Sequence, residues 1–459
     1  MAQDYPAAVN DPRAAAAERV EALRVMEKDN APGVTGKGEV NNHIHTVYSF
    51  SPYTPSMAAA KARDAGLEAA GSVDHDSIAA AREMTAACAA LGIGGCCGFE
   101  IRVSFKGEDG KGPFAGRKIN NPDSEGIAYM TVQGVPAPSI PETGAFLKPI
   151  REERFRRTAA MTEKANAVLR KSGFAAIDFE RDISGASLFG EGGEITERHL
   201  LAAAAAKITD SLGRGPPLCE GLKDRLGIDA GKKGGQYLAD PGNPHYLYDL
   251  LGVLKTGLLP RIFIQPGSAE CIPAKKAVDF ALSIGAIPAY AYLGDVGESP
   301  TGDKKAEKFE DDFLEELFDE LSRTGYRAVA YMPPRNTAGQ LRKVKRLCAE
   351  KGFLEISGVD INSSRQSFNC PEVLEDEFRH LVDTTWAIIA HERLASAEPS
   401  CGFFSGRGPL AALPLPERTA VYAAAGKALD LKRPEESVPG IIEDLRKGRY
   451  PHETRGKIR

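Results

Sequence analysis

The stretch VNNHIHTVYSFSPYTP, residues 40–55, places two histidines one residue apart in a segment that is typical of a strand. Alternate residues of a strand point to the same face, so His43 and His45 project together. Two imidazoles at this spacing can share one metal ion. Taken alone, such a pair is more often two polar residues on a half-exposed strand, and the neighbouring strands decide between the two interpretations.

Strands and helices alternate on both sides of a long middle region. Three strands are predicted before it and four after it, with a helix following most of them. The predicted strands are 39–47, 67–73, 93–104, RIFIQP from residue 261, AIPAYAYL, YRAVAYMP and FLEISGVDIN. Short connections between alternating strands and helices are typical of a parallel sheet or barrel, so we predict an α/β fold.

The remaining segments divide the chain into further parts. Residues 1–38 are predicted to be an N-terminal helical extension. Residues 105–260 begin with a run rich in Gly, Pro, Asn and Asp and continue as helices, so we interpret them as an insertion into the α/β unit of 39–104 and 261–370. Residues 371–459 are predicted to be a C-terminal helical extension.

Composition excludes several classes of function. The 459 residues carry a net charge of −5, with a pI near 6.0, which argues against general binding to nucleic acids or to membrane surfaces. There is no apolar run long enough to span a membrane and no secretory signal at the N-terminus. Eight scattered cysteines without a CxxC pair indicate reduced thiols. We therefore expect a cytoplasmic protein.

Four predicted strand ends carry residues that can ligate a metal. His43 and His45 lie on the first strand, His75 ends the second, Glu100 lies in the third, and Asp360 ends the last. In a parallel α/β barrel the carboxyl ends of the strands meet at one face, where sites are built. Each residue alone has a plain structural explanation, but the ordered set predicts one site.

The order of these motifs resembles the polymerase and histidinol phosphatase (PHP) superfamily. NHIHTVYS, SVDHDS, GFEIRVS and SGVDIN are similar to its motifs, and the resemblance covers 40–104 and 261–362. It implies a distorted seven-stranded (β/α) barrel, up to three metal ions and, in most members, phosphoesterase activity. EITERHLLAAAAAKI resembles a helical segment of members that act on nucleotides and oligonucleotides.

The chain departs from the family pattern at several ligand positions. Phe50 stands where the first motif carries a carboxylate, and Gln133 or Tyr129 stands where a histidine often follows the strand glutamate. Tyr292 stands where the family has the histidine of a later His-Pro-Gly motif, and Asn362 stands where it has the histidine of a closing Asp-x-His motif. The resemblance therefore implies that two of the three metal sites have lost ligands.

One ligand set is complete. The resemblance assigns His43, His45, Glu100 and Asp360 to a single metal, and all four are present. We predict one divalent ion there, and two imidazoles with two carboxylates suit Zn²⁺, Mn²⁺ or Fe²⁺. His75, without its metal partners, is predicted to act as a general acid–base or to hold the neighbourhood of Asp360 by hydrogen bonds. Of the replaced positions, Tyr292 would pack or contact substrate, and Asn362 would bond a water or a phosphate oxygen.

Fixed cations could take over the role of the missing metals in binding phosphate. Arg335 follows a predicted strand end, Arg198 and His199 lie on a predicted helix, and Lys305 belongs to a charged run. Asp295 lies in a Gly- and Pro-containing loop that could close over a substrate, although a turn in which Asp295 acts as a local cap is the better explanation. These five residues are the candidates for substrate binding.

Two functions follow. The first is a metal-dependent hydrolase of a small phosphate ester, in which one metal ion activates water. The alternative is a degenerate module that binds a metal or a small ligand without hydrolysis. Hydrolysis of C–N or C–O bonds would need the same metal and stays open. The expected partner is a small phosphorylated molecule.

Overall fold

A curled, half-barrel β-sheet lies at the centre of a mixed α/β fold. The computed structural model describes residues 5–29, 36–107, 109–297 and 307–449. In these ranges the strands are β1 (Glu39–Ile44), β2 (Leu67–His75), β3 (Gly94–Ser104), β4 (Ile127–Gln133), β5 (Ile272–Pro273), β6 (Ile287–Ala291), β7 (Ala328–Tyr331) and β8 (Leu354–Ser357). The main path runs β1-β2-β3-β4-β6-β7-β8, and β5 pairs with β3.

Helices surround the sheet and form most of the middle region. Their bounds are α1 (Ala16–Asp29), α2 (Pro55–Asp64), α3 (Ala81–Leu91), α4 (Ile140–Lys171), α5 (Glu197–Leu212), α6 (Pro216–Leu226), α7 (Gly231–Ala239), α8 (Tyr246–Gly257), α9 (Leu259–Ile262), α10 (Ala274–Ser283), α11 (Leu314–Thr324), α12 (Ala338–Lys351), α13 (His380–Ala397), α14 (Leu415–Lys427) and α15 (Pro434–Arg446). None of the helices in the described ranges combines the length and the apolar character that a membrane crossing needs.

The sheet is not purely parallel. β4 runs antiparallel to both β3 and β6, whereas the other pairs along the path are parallel. Gly98 of β3 permits the close pairing, since a Cβ there would lie 2.1 Å from the carbonyl oxygen of Val132. The predicted parallel arrangement therefore holds for the other pairs along the path and fails for the two pairs that involve β4. The predicted insertion, 105–260, also contains β4, a strand of the sheet. The sequence did not predict this strand, because the Gly- and Asn-rich run before it resembles the start of a loop.

The strand predicted at RIFIQP is also wrong. Leu259–Ile262 forms the short helix α9, which follows α8 almost directly, and the chain is irregular from Phe263 to Gln265. Pro260 lies in the first turn of α9, where a proline costs no intrahelical hydrogen bond. Ile262 is buried in the core of the helical region, so tertiary packing overrides the β-propensity of the short apolar run.

Backbone hydrogen bonds join the segment after β8 to the end of β1. His45 N donates to Ile361 O, and Ile361 N donates to His43 O, with distances of 2.9 and 3.0 Å. Gly358 makes this approach possible, because a Cβ there would lie 2.6 Å from the Cβ of His43. The first and the last strand of the path are thereby brought to one place.

Three apolar clusters hold the elements together. The largest combines both sides of β3–β8 with α13, so the C-terminal helices pack on the sheet and share its core. A second cluster lies within α4–α9, which gives the helical middle region a core of its own. A third packs α1 against α2 and α3 beside β1 and β2.

Candidate metal centre and cavity

The histidines of β1 and the glutamate of β3 meet at one point. The Nε2 atoms of His43 and His45 lie 3.9 and 3.6 Å from Oε2 of Glu100. One ligand atom from each of these residues lies within 4.8 Å of the other two. This spacing allows all three atoms to contact a single ion.

Two further residues border this group. Oδ1 of Asp360, in the segment after β8, lies 3.3 Å from Nε2 of His45. Nδ1 of His75, at the end of β2, lies 3.0 Å from Oε2 of Glu100. The structure therefore brings together the five residues that the sequence placed at strand ends, and His75 contacts Glu100, not Asp360.

The imidazole nitrogen atoms that face the carboxylates are buried and unpartnered. Nε2 of His43, Nε2 of His45 and Nδ1 of His75 make no hydrogen bond in satisfactory geometry with any described residue. A buried polar atom without a partner costs roughly 1–3 kcal/mol, so three around one carboxylate require an explanation. A cation bound between His43, His45 and Glu100 would provide it, and this donor set fits a divalent metal ion.

The other ring nitrogen of His45, Nδ1, contacts a series of hydrogen-bonded polar side chains. Ser49 Oγ lies 3.3 Å from Nδ1 of His45 and 2.5 Å from Oδ1 of Asp74, a buried carboxylate that also accepts from N and Oγ1 of Thr46. The single hydroxyl proton of Ser49 goes to Asp74, so its oxygen accepts the Nδ1 proton of His45. In the neutral imidazole this arrangement leaves the lone pair on Nε2, the atom that faces Glu100 and Asp360.

Burial and charge shift the pKa values of the group in different directions. Burial lowers the pKa of His43, and burial together with His45 lowers that of His75 well below its usual range, which keeps both imidazoles neutral. Burial raises the pKa of Glu100. Burial opposes the charge of Asp360, but the nearby histidines outweigh it and hold the pKa of this carboxyl well below normal. For His45 burial is likewise outweighed, by Asp360 and Glu100, and its pKa is raised.

A cavity of about 380 Å³ opens over this group. Its walls come from the sheet, from the segments that follow β6, β7 and β8, and from the helical middle region. The cationic residues lining it are Arg102, Arg154, Arg198, Lys255 and Arg335, and the acidic ones besides Glu100 and Asp360 are Asp123, Glu197 and Glu307. The site is thus a cleft between sheet and helices that charged residues of both signs line.

Part of one wall is a buried ion-pair network that the sequence analysis missed. Arg154 of α4 pairs with Asp76 at 2.7 Å and with Glu197 at 2.6 Å, and Arg157 pairs with Glu270 at 2.6 Å. Arg102 of β3 also pairs with Glu270. Its position two residues after Glu100 puts it on the same strand face, which was a usable signal. The sequence spacing of the other residues in the network gave no signal that they would form ion pairs.

Two predicted neighbours of the site have partners of their own. Tyr292 lines the cavity, and its hydroxyl donates to Asp311 Oδ1 at 2.6 Å. Asp295 accepts from the backbone N of Phe309 at 2.7 Å and pairs with Lys308, and it is not among the lining residues. Asp295 therefore joins two described loop segments to each other.

Arg335 lies at the cavity with donors to spare. It is exposed, and among the described residues its guanidinium makes one recorded hydrogen bond, from Nε to Leu293 O at 3.3 Å. Lys305 lies outside the described residues.

The candidates on α5 behave differently from each other. Arg198 lines the cavity and donates to Asn362, which in turn donates to Asp360. His199 is buried, accepts from the backbone N of Thr196 at 3.0 Å and is not among the lining residues. Burial, with Arg154, lowers its pKa to about 3. His199 is a capping residue of α5 in this structure.

Phe50 fixes the helical region to the end of β1. Its ring lies 4.8 Å from that of His199 and 6.1 Å from that of Tyr248. The backbone of Phe50 has φ +69°, a left-handed conformation that side chains of this kind rarely adopt. An apolar contact between the sheet and α5 and α8 therefore occupies the position at which the first motif departs from the PHP pattern.

Comparison with known proteins does not assign the chain to a protein family. No protein-family model matches the chain, and no curated protein does. Among solved structures, an amidohydrolase from Chromobacterium violaceum with bound sulfate and no metal is 19% identical, with a TM-score of 0.45 over 75% of this chain and 95% of that one. A candidate metal-dependent phosphoesterase from Bifidobacterium adolescentis is 18% identical, with a TM-score of 0.47 over 77% and 98%. Likeness at this level carries no conclusion about activity.

Proposed function

We propose that the protein is a PHP-like, metal-dependent hydrolase of a small phosphate ester. In this proposal the curled sheet is a distorted seven-stranded barrel, and His43, His45, Glu100 and Asp360 hold one divalent ion. The supporting observation is that Nε2 of His43 and Nε2 of His45, both buried and without a hydrogen-bond partner among the described residues, converge on Glu100 at the cavity. No other described group of His, Cys, Asp and Glu residues has this spacing.

An ion in this site supplies a Lewis acid, which lowers the pKa of a water molecule and offsets charge that develops on phosphate oxygens. His45 is ready to bind it because Ser49 and Asp74 fix the tautomer. His75 lies beside Glu100, with its Nδ1 3.0 Å from Oε2 of the carboxylate. Neutral imidazoles and ionised carboxylates are the protonation states that such a site needs.

Cations of the cavity support a phosphate ester as the substrate class. Glu100 and Asp360 together balance the charge of one divalent ion, so the charge of a phosphate dianion must be met by other groups. No described residue accepts a hydrogen bond from the terminal guanidinium nitrogens of Arg335, and such nitrogens bind phosphate oxygens in pairs. Lys255 of α8 lines the same cavity, and no ion pair with another described residue is recorded for it. Together they can hold the ester against the metal group.

One observation favours the alternative of a binding protein without hydrolytic activity. Tyr292 and Asn362, at two of the replaced ligand positions, are engaged with Asp311 and Arg198. A second ion would therefore lack ligands from these residues. Two-metal sites hold both the attacking and the leaving oxygen, and a single site gives up that advantage.

The test is release of phosphate from a panel of phosphomonoesters by protein loaded with Mn²⁺ or Zn²⁺. The expected result is metal-dependent turnover of at least one ester, abolished in His43→Ala. His380→Ala is the matched control, because it removes an imidazole that does not line the cavity. A protein that holds its metal but releases no phosphate from any ester would overturn the hydrolase and favour the binding protein.

A further inference from the structure

The helical middle region reaches the metal group through two residues. Arg198 of α5 donates from Nη1 to Asn362 O at 2.6 Å and from Nη2 to Asn362 Oδ1 at 2.8 Å. Nδ2 of Asn362 donates to Oδ1 of Asp360 at 2.7 Å. The same Oδ1 is the carboxylate atom that lies 3.3 Å from Nε2 of His45. The chain of contacts therefore ends on the oxygen that faces the site.

The chemistry of the three side chains determines which of them donates and which accepts in each of these hydrogen bonds. A guanidinium only donates, so the amide oxygen of Asn362 must face Arg198 and the amide nitrogen must face Asp360. A carboxylate at residue 362 could not donate to Asp360. The bidentate contact from Arg198 also restricts the backbone of the segment that carries Asp360, because one of its two acceptors is the carbonyl of Asn362.

We propose that Arg198 is a positioning residue, which acts through Asn362 to hold Asp360 in the geometry that a metal ligand needs. The inference rests on the proposed function, since it presumes the metal site. It assigns to the helical region a role in assembling the site, beyond forming a wall of the cavity. Partners that orient a ligating carboxylate typically contribute about 10–100-fold to metal affinity.

A second contact between the same two parts provides a matched control. Arg365 pairs with Asp249 of α8, with an Nε–Oδ1 distance of 2.5 Å, and so ties the same segment to the helical region without touching Asp360. Loss of this partly buried pair, in which the Asp249 side chain is only 7% exposed, should loosen the docking but leave the carboxylate of Asp360 held. A loss of metal affinity in Arg198→Ala that is absent from Arg365→Ala therefore distinguishes the positioning of Asp360 from general docking of the helical region.

The experiment is a titration with Co²⁺, followed by its visible absorption, of wild type, Arg198→Ala, Asn362→Ala, the double variant, Arg365→Ala and His43→Ala. We expect about tenfold weaker Co²⁺ binding and an altered spectrum for Arg198→Ala and for Asn362→Ala. The double variant should be no weaker than Asn362→Ala, because Arg198 acts through Asn362. Arg365→Ala should match wild type, and thermal unfolding of each apoprotein checks that the variants fold.

The outcomes separate the two proposals. If wild type binds Co²⁺ and His43→Ala does not, while Arg198→Ala has the affinity and spectrum of wild type, the positioning role is overturned and the metal site stands. Equal losses in Arg198→Ala and Arg365→Ala, or additive losses in the double variant, also overturn it. If wild type binds no Co²⁺, the metal site itself is refuted, and the inference with it.

Discussion

Glu310 should make the stability of the protein depend on pH in a direction opposite to that of most carboxylates. Its side chain is fully buried, and Oε1 accepts hydrogen bonds from Tyr290 Oη, Leu293 N and Gly294 N at 3.0, 2.8 and 3.3 Å. Oε2 has no hydrogen-bond partner among the described residues. Burial therefore dominates and raises the pKa of Glu310 from 4.5 to about 7, although the donors to Oε1 oppose the shift.

The magnitude follows from linkage. A carboxyl whose pKa is higher in the folded state contributes its full stability below its pKa in the unfolded chain and loses it as the pH rises through the folded value. The difference between 4.5 and about 7, at about 1.36 kcal/mol per pKa unit, amounts to ~3 kcal/mol between about pH 4.5 and about pH 7.5.

Glu310→Gln tests this prediction because glutamine mimics the protonated carboxyl. Its amide oxygen can accept the same three hydrogen bonds, and it does not ionise. The free energy of unfolding, measured by urea denaturation, should fall with rising pH by ~3 kcal/mol more in wild type than in Glu310→Gln. Glu350→Gln, which removes an exposed carboxylate of α12, should follow the wild-type profile. Parallel profiles of wild type and Glu310→Gln would refute the reasoning.

Three substitutions test other parts of the account. Glu83→Ala should lower the free energy of unfolding by ~3–5 kcal/mol, since it leaves Arg19 buried without the carboxylate that it contacts at 2.6 Å. Arg335→Ala should raise the KM for the phosphate ester more than it lowers kcat, because Arg335 is proposed to bind the ester and not the metal. Tyr292→Phe should cost ~1 kcal/mol of stability, through loss of the hydrogen bond to Asp311, and should leave the metal content unchanged.

Each of these predictions can fail in a defined way. Urea denaturation that shows Glu83→Ala as stable as wild type would mean that the Arg19 pair does not hold α1 against α3. Steady-state kinetics in which Arg335→Ala keeps the wild-type KM would remove Arg335 from the ester site, with Arg335→Lys as the charge-preserving control. Loss of metal from Tyr292→Phe, measured by elemental analysis, would make the phenol a ligand.

Much of the sheet could be predicted from sequence because its strands are apolar runs bounded by clear turns. β1, β2, β3, β6, β7 and β8 each lie within or overlap a predicted strand. β4 escaped because the polar run before it looked like the start of an insertion, and its antiparallel direction depends on a pairing that only the tertiary structure shows. RIFIQP has a strand's composition, but it ends a helix that packs into a distant core.

The candidate site likewise contains residues that could be predicted from the sequence and residues that could not. Residues at strand ends could be placed together because topology brings strand ends together, and the structure does bring His43, His45, Glu100 and Asp360 to one point. The contacts from the helical region could not be placed, because they depend on how that region docks. Arg198 was predicted as a candidate for substrate binding, but neither its contact with Asn362 nor the position of Arg154 beside Asp76 could be inferred from the sequence of these helices.

The central claim is tested most directly by the metal content of the purified protein. Elemental analysis of wild type, His43→Ala, His75→Ala and His380→Ala, each reloaded with Mn²⁺ or Zn²⁺ and desalted, should show about one equivalent in wild type. The ion should be absent from His43→Ala and retained in His75→Ala and His380→Ala. Absence of metal from reloaded wild type, or its retention in His43→Ala, would contradict the account.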